Sequence, residues 1–369
     1  MKFVIGRGSD TSGGPVGHLG SYRALDGSFG AALGLDLDGP HAMLVVGKRG
    51  YGKSFTLGVI AEELARSDGV APVIVDPMGV FASLTATVTG RPCDDESDTT
   101  DRHTDRDPVP ATVLERPAVT PAALDPQSWC ALVGLSTESG AGSLLWRAAQ
   151  RASTLEKMRL TIDAADAPAA DKRVATNHLD LADSWGVFDA DGIDADDLSG
   201  PEVTVVDVSG LDAAPMNAVV RGIAESLYRA RIDGTIDRLP WLMIDEAHTF
   251  FSGVAQPALE TILTRGRAPG VSLVSATQRP SAVPAVGISQ SDVIISHRLT
   301  SQADLQALEA AQPTYMNASL TDRMPERPGE VVVIDDATET IHAAQVRLRD
   351  TPHGGDSPRA SEVSTDSPR

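Results

Sequence analysis

The sequence predicts an α/β fold built on a mainly parallel sheet, and three observations carry that expectation. Short, strongly apolar runs recur along the chain, among them Met43-Leu44-Val45-Val46, Val73-Ile74-Val75-Asp76 and Trp241-Leu242-Met243-Ile244. Between them lie segments with helical spacing: Leu57, Ile60, Ala61 and Leu64 fall at i, i+3, i+4 and i+7, one face of a helix. The first run passes at once into a glycine-rich turn that opens this helix.

Taken in order, residues 1–40 are glycine-rich and weakly patterned, ending in the turn-prone Asp38-Gly39-Pro40. Residues 41–90 hold the first strand–helix–strand unit. From 91 to 127 the chain loosens, with an acidic run after Cys93 and prolines at 108, 110, 117, 121 and 126, which predicts a long flexible loop. Over 128–200, Leu144, Leu145, Ala148, Ala149, Leu155, Met158 and Leu160 recur at helical spacing, broken by acidic runs such as 189–197. This stretch reads as a helical insertion. The sheet resumes over 201–349, with strands expected at 203–207, 241–245, 271–276, 293–296 and 330–334. A helix there has Val220, Ile223 and Leu227 on one face. Residues 350–369 are Ser, Pro, Gly and Asp with little to pack, and read as a disordered acidic tail.

Composition narrows the setting. Two cysteines, Cys93 and Cys130, form neither a disulfide framework nor a metal-ligand spacing, which suits a reducing cytoplasm. No signal peptide and no run near the ~18 apolar residues of a spanning helix is present, so a cytoplasmic protein without membrane contact is expected. The net charge is −20, and only 5 of the 31 basic residues are lysine. A carboxylate-dense surface of this kind keeps a halophilic protein hydrated in a salt-rich cytoplasm; a high-GC genome would also favour arginine over lysine. Either way, any contact with DNA has to come from a local arginine-lined surface.

The chemistry-bearing motifs begin with Gly47-Lys48-Arg49-Gly50-Tyr51-Gly52-Lys53-Ser54, a full match to G-x-x-x-x-G-K-[ST] between a strand and a helix. Glycines let such a loop curl until its amides converge on phosphates, and the helix points its positive end at the same anion. Contacts to ATP are expected from Gly47 through Ser54 and on to Phe55. Lys53 would meet the β and γ phosphates and the Ser54 hydroxyl would ligate Mg2+. The strand ending in Ile244-Asp245-Glu246 delivers two carboxylates, Asp245 toward the metal and Glu246 as the base that polarises water. The strand ending in Ala276-Thr277-Gln278 offers Gln278 to the γ-phosphate or the attacking water. Arg265, Arg267 and Arg298 are candidates for a guanidinium aimed at a neighbour's γ-phosphate.

Together these residues resemble the HerA/FtsK superfamily, more closely its HerA-like archaeal ATPases. The resemblance runs from about residue 40 to 348. It rests on Gly50-Tyr51-Gly52-Lys53-Ser54, Val75-Asp76-Pro77-Met78-Gly79, 205–210, Ile244-Asp245-Glu246-Ala247-His248, and 265–280 with its Thr277-Gln278-Arg279-Pro280 ending. It implies a RecA-like P-loop NTPase core and often a hexameric ring, with ATP at subunit interfaces and an arginine finger, first assigned to Arg267. HerA itself is a DNA translocase beside a nuclease, so DNA and a nuclease-type partner are implied. The chain departs from the pattern twice. No N-terminal β-barrel is evident in the first 40 residues, and Val80 stands where relatives often have glutamate.

Asp245-Glu246-Ala247-His248 also mimics a motif of DEAH-type helicases, but these need a second RecA-like domain, for which too few residues follow. On that ground His248 reads as a solvated residue. Two functions are carried forward: a ring ATPase that translocates or remodels DNA, and a slow nucleotide-dependent switch acting on a protein partner.

Overall fold

The computed structural model describes residues 3–8, 13–24, 27–86, 109–310 and 323–355. The described elements begin with β1 (Phe3–Ile5), β2 (Val16–Arg23), β3 (Phe29–Asp36) and β4 (Ala42–Val46), then α1 (Lys53–Ala65) and β5 (Val70–Asp76). Next come β6 (Ala111–Leu114) and the helices α2 (Pro126–Leu132), α3 (Gly140–Arg151), α4 (Leu155–Ala164) and α5 (Ala169–Ser184). The chain returns to the sheet with β7 (Val203–Asp207), α6 (Ala213–Asp233), β8 (Leu239–Ile244), α7 (Gln256–Arg265) and β9 (Ser272–Thr277). It continues through α8 (Ala285–Ser289), β10 (Val293–Ser296), α9 (Gln302–Ala310), β11 (Glu330–Asp335) and β12 (Thr340–Val346).

All the strands join one sheet, in the order β1-β3-β2-β12-β11-β10-β4-β9-β8-β5-β7-β6. From β10 to β6 every neighbouring pair is parallel. From β10 toward β3 every pair is antiparallel, and β1 closes that edge parallel to β3. The parallel half is buried on both faces, and the pleat divides its side chains between two layers. Met43, Val45, Met243 and Val274 pack with Leu57, Ile60 and Leu64 of α1. Leu44, Val46, Leu242 and Leu273 pack on the other face with Val220, Ile223 and Leu227 of α6 and Leu259 of α7.

The structure departs from the sequence-based expectation in four places. Residues 1–40 supply three strands, and β2 pairs with β12, so the N-terminal segment extends the sheet. A side chain at Gly20 would collide with the Gln345 carbonyl, so glycine here permits close strand approach as well as weakening the sequence pattern. Within 91–127, Ala111–Leu114 forms the strand β6 beside β7; the acidic run of 94–107 lies outside the described residues. Leu160, counted with the apolar stripe of the insertion, is exposed.

The fourth departure is the tail. Residues 356–369 lie outside the described residues, but 347–355 form a strap across the outer face of α1. Glu62, fully buried on that helix, accepts from Thr351 N–H (2.9 Å), Thr351 Oγ1 (2.7 Å) and Asp350 N–H (3.1 Å), and pairs with Arg347 at 2.8 Å. Arg349 lies over Gly58, where a Cβ would meet its Cζ at 2.6 Å. His353 then meets the Phe55 ring edge-on at 5.6 Å between centroids. The strap thus covers the face of α1 that the strands leave open, and a buried carboxylate is stable there because every neighbour is a donor. Among the described residues no helix is long and apolar enough to cross a membrane.

A second buried ionic group fixes the start of β4. His41 lies between Asp292 (3.1 Å) and Asp36 (3.5 Å), and Arg7 pairs with Asp36 from the far side. Burial alone would push the imidazole pKa down; hydrogen bonds and charge from Asp292 and Asp36 outweigh it and raise it to about 9. A histidine with a raised folded-state pKa stabilises the fold fully below its unfolded value, and that contribution is lost as pH rises through the folded value. The thermal midpoint of wild type should therefore exceed that of His41→Ala most at pH 6.5 and below, and the gap should shrink as pH rises through about 9. Melting curves at fixed ionic strength across pH 6 to 10 check this; a gap that widens with pH would contradict it.

Candidate functional site

The site forms at the carboxyl edge of three adjacent parallel strands, β4, β9 and β8, in that order. Register sets Val46 of β4 beside Thr277 of β9, and Ile244 of β8 beside Ser275. The residues that follow therefore emerge side by side: the 47–54 loop, Gln278, and Asp245-Glu246. This is the edge at which open α/β sheets bind ligands.

In the loop, Gly50 (φ 80°) and Gly52 (φ 109°) take left-handed backbone, and Gly52 is the N-cap of α1. No side chain caps this helix, so its first amides keep their capacity for an anion. The loop is braced from behind by the segment that follows β10. Lys48 N–H donates to the Arg298 carbonyl at 2.8 Å, and His297 Nε2 lies 2.9 Å from Thr56 Oγ1. A Cβ at Gly47 would come within 2.5 Å of His297 Cβ. Burial, with Lys53 nearby, lowers the His297 pKa to about 3, so this brace is a neutral ring and adds no charge. Lys48 itself sits over the Tyr51 ring at 4.3 Å, and Arg49 projects into solvent.

Lys53 is buried, with its ammonium only loosely held by the Lys48 carbonyl at 3.5 Å. Burial lowers its pKa, while Glu246 and Asp245 pull it back up. Ser54 Oγ donates to Asp245 Oδ2 at 2.6 Å, closing the loop onto β8. Asp245 is buried, and its other oxygen accepts from the Glu246 N–H at 2.9 Å. Glu246 has left-handed backbone (φ 46°), strained for a side-chain-bearing residue. Its carboxylate lies 3.4 Å from His248 Nδ1 and within the field of Asp245 and Lys53. Burial, then the Asp245 charge, raise the Glu246 pKa; Lys53, the Gln278 N–H and Arg49 draw it back.

The structure thus brings together Lys53, Ser54, Asp245, Glu246 and the main chain of Gln278. Arg267 stands apart. It follows α7 at the amino end of β9, on the edge opposite this chain's own loop, exposed together with Arg265. Gly266 between them is packed against the Ile262 and Val271 carbonyls, which leaves both arginine side chains directed outward. Arg298 differs: its carbonyl is part of the loop's brace and its guanidinium bonds the Glu326 carbonyl at 3.4 Å.

His248 is placed differently from the sequence reading. It is half-buried, with Nδ1 3.1 Å from Thr277 Oγ1 and 3.4 Å from Glu246 Oε2. The His297 brace was not legible at all. Nothing about a histidine after an apolar strand signals that it will stand behind a loop some 250 positions earlier.

A nucleotide and its metal can be tested against these groups. Among the described residues no cluster of three or more His, Cys, Asp or Glu could hold a metal alone. A hydroxyl and a carboxylate already in contact, beside convergent amides and a buried ammonium, suit a hard cation that takes its other ligands from phosphates and water. That is how Mg2+ is bound with a triphosphate. The residues fit the group.

The fold is that of a RecA-like P-loop NTPase. Residues 30–227 match the family described as Helicase HerA, central domain (DUF87), and the chain belongs to that family. It is an ATP hydrolase. Among solved structures, VirB4 of Thermoanaerobacter pseudethanolicus is similar at 16% identity and TM-score 0.63, covering 93% of this chain and 98% of that one. Plasmid coupling protein TrwB, in complex with ADP and Mg2+, is similar at 14% identity and TM-score 0.57, covering 94% and 98%. At these identities the likeness is one of fold. No curated protein sequence matches the chain.

The brace makes a prediction about the loop itself. Gly47→Ala should destabilise the fold more than Gly50→Ala. The first forces Cβ against His297, while the second meets no atom within 4 Å and carries only the left-handed backbone cost, about 1–2 kcal/mol. Urea unfolding of both variants measures the difference.

Proposed function

We propose that this chain is a HerA-type motor that couples ATP hydrolysis to translocating or remodelling DNA, working as a ring of identical subunits. Lys53 holds the β and γ phosphates, aided by amides from Gly47 to Phe55. Ser54 and Asp245 hold Mg2+, which when bound neutralises phosphate charge and orients the γ-phosphate. Glu246 draws a proton from the attacking water. A raised pKa makes it a better base than an ordinary carboxylate. Gln278 contacts the γ-phosphate or the water and senses whether ATP is intact. Arg267 serves as the arginine finger of the neighbouring subunit.

The observation that carries this reading is a division of labour within one chain. The groups that bind and activate converge at the carboxyl edge of β4, β9 and β8, whereas Arg267 stands exposed at the opposite edge. A guanidinium there is out of reach of its own site and accessible to another subunit. A hexameric ring and a nuclease-type partner belong to the same proposal.

The second reading, a slow switch acting on a protein partner, is favoured by the net charge of −20, which repels DNA as a whole. ATPase rates with and without duplex DNA, at high potassium, separate the two: stimulation supports the motor, and a flat, slow rate supports the switch. Lys53→Ala should abolish nucleotide binding, and Glu246→Gln should bind ATP and stall. Arg267→Ala should lose stimulated turnover while each subunit still binds ATP. Mixing Arg267→Ala with Lys53→Ala subunits should recover part of the activity, because mixed interfaces pair an intact loop with an intact finger. Mixtures no more active than the variants alone would count against a finger in trans.

A further inference from the structure

We infer that His248 is a positioning residue for Glu246, tying that carboxylate to the end of β9 that carries Gln278. The inference rests on the reading of Glu246 as the base.

Glu246 Oε2 is buried and accepts no hydrogen bond. A carboxylate oxygen removed from water without a donor is costly, and a bare oxygen leaves the group free to turn away from its working position. The donor-capable atom beside it is His248 Nδ1, at 3.4 Å. The same nitrogen lies 3.1 Å from Thr277 Oγ1. Thr277 is fully buried, and its hydroxyl oxygen already accepts from the Arg279 N–H at 3.0 Å. The imidazole therefore stands between the catalytic acid pair on β8 and the last residue of β9, with Gln278 next along the chain.

One nitrogen cannot satisfy both neighbours in the same way. Without a proton, Nδ1 accepts the Thr277 hydroxyl proton, and Glu246 Oε2 stays bare. With a proton, Nδ1 can donate to Glu246 Oε2 after an approach of a few tenths of an ångström, within hydrogen-bond range. The two arrangements exclude each other, so a shift at the end of β9 is felt at Glu246. The charged groups facing this pair are Asp245, Lys53 and Arg279, with Arg49 also acting on Glu246. Gln278 and Glu246 are thereby linked through side chains as well as through the contact of the Gln278 N–H with the carboxylate.

Two substitutions separate positioning from mere packing. His248→Leu fills the space of the ring and removes the nitrogen. His248→Asn restores a side-chain N–H near the place of Nδ1. With purified protein, DNA and Mg-ATP, His248→Leu should lower kcat about 10-fold or more, toward the ~100-fold that a misplacement of about 1 Å costs. KM and the affinity for a non-hydrolysable ATP analogue should stay within about 3-fold, since binding groups are untouched. His248→Asn should recover most of kcat. Placed on Glu246→Gln, His248→Leu should cause no further loss, as expected when one residue acts through the other.

The inference is overturned if His248→Leu turns over like wild type, or if His248→Asn is as slow as His248→Leu. It is equally overturned if analogue affinity falls in step with kcat, or if the loss in the double variant is additive. Glu246→Gln hydrolysing at the normal rate is a different failure, because it removes the base itself and leaves nucleotide binding intact.

Discussion

The hydrogen bond from Ser54 to Asp245 is the constraint on which the rest of the structure turns. Its two residues follow strands that are not neighbours, since β9 lies between β4 and β8. A hydroxyl in the first turn of α1 reaches a carboxylate two strands away only if all three strands run the same way and end at one level. Parallel neighbours need crossovers, and crossovers cover both faces. The two apolar layers, one under α1 and one under α6 and α7, follow from that single requirement. So does the position of Gln278, which emerges from the middle strand between the loop and the acid pair.

The parallel half of this fold was legible because β4, β5 and β8 are short, mostly apolar runs buried on both sides. The loop was legible because glycine at 50 and 52 and lysine at 53 have few other reasons to follow such a strand. The antiparallel half was not. β2 and β3 contain glycines at 17, 20, 30 and 34, and the first half of β3 is exposed, so neither shows a clean alternation. The other partner of β2 is β12, some 320 positions away, and no local signal announces it. The strap over α1 was missed for a related reason. It is held by Glu62, Arg347, Arg349 and Thr351, polar residues that look like solvated surface until they are seen to satisfy one another.

The same physical lesson holds within the site. Lys53, Ser54, Asp245 and Glu246 could be named because their chemistry needs fixed spacing along the chain. His248 and His297 could not, because their roles depend on distance in space: one lies against Thr277 and Glu246, the other behind Gly47. Both histidines have pKa values lowered chiefly by burial and by cations nearby. On the proposed reading, a neutral imidazole is a useful brace beside a lysine that keeps its charge for phosphate, since it fills space and bonds hydroxyls without competing for the anion.

The net charge and the arginine-rich basic set act over different distances, and that reconciles an acidic chain with the polyanionic track of the proposed function. Repulsion from a charge of −20 spread over the surface is a long-range effect. It is screened over about 10 Å at 0.1 M salt and about 3 Å at 1 M. A guanidinium in direct contact with a phosphate works at hydrogen-bond distance and keeps its bidentate geometry. Added salt therefore weakens the global repulsion first, while also lowering the counterion-release gain of each phosphate contact. On the proposed motor reading the two trends oppose, so DNA binding by a chain of this charge would pass through an optimum in salt instead of declining monotonically. An acidic surface is on that reading no obstacle, because it suppresses unspecific adhesion and leaves recognition to arginines in direct contact with phosphate.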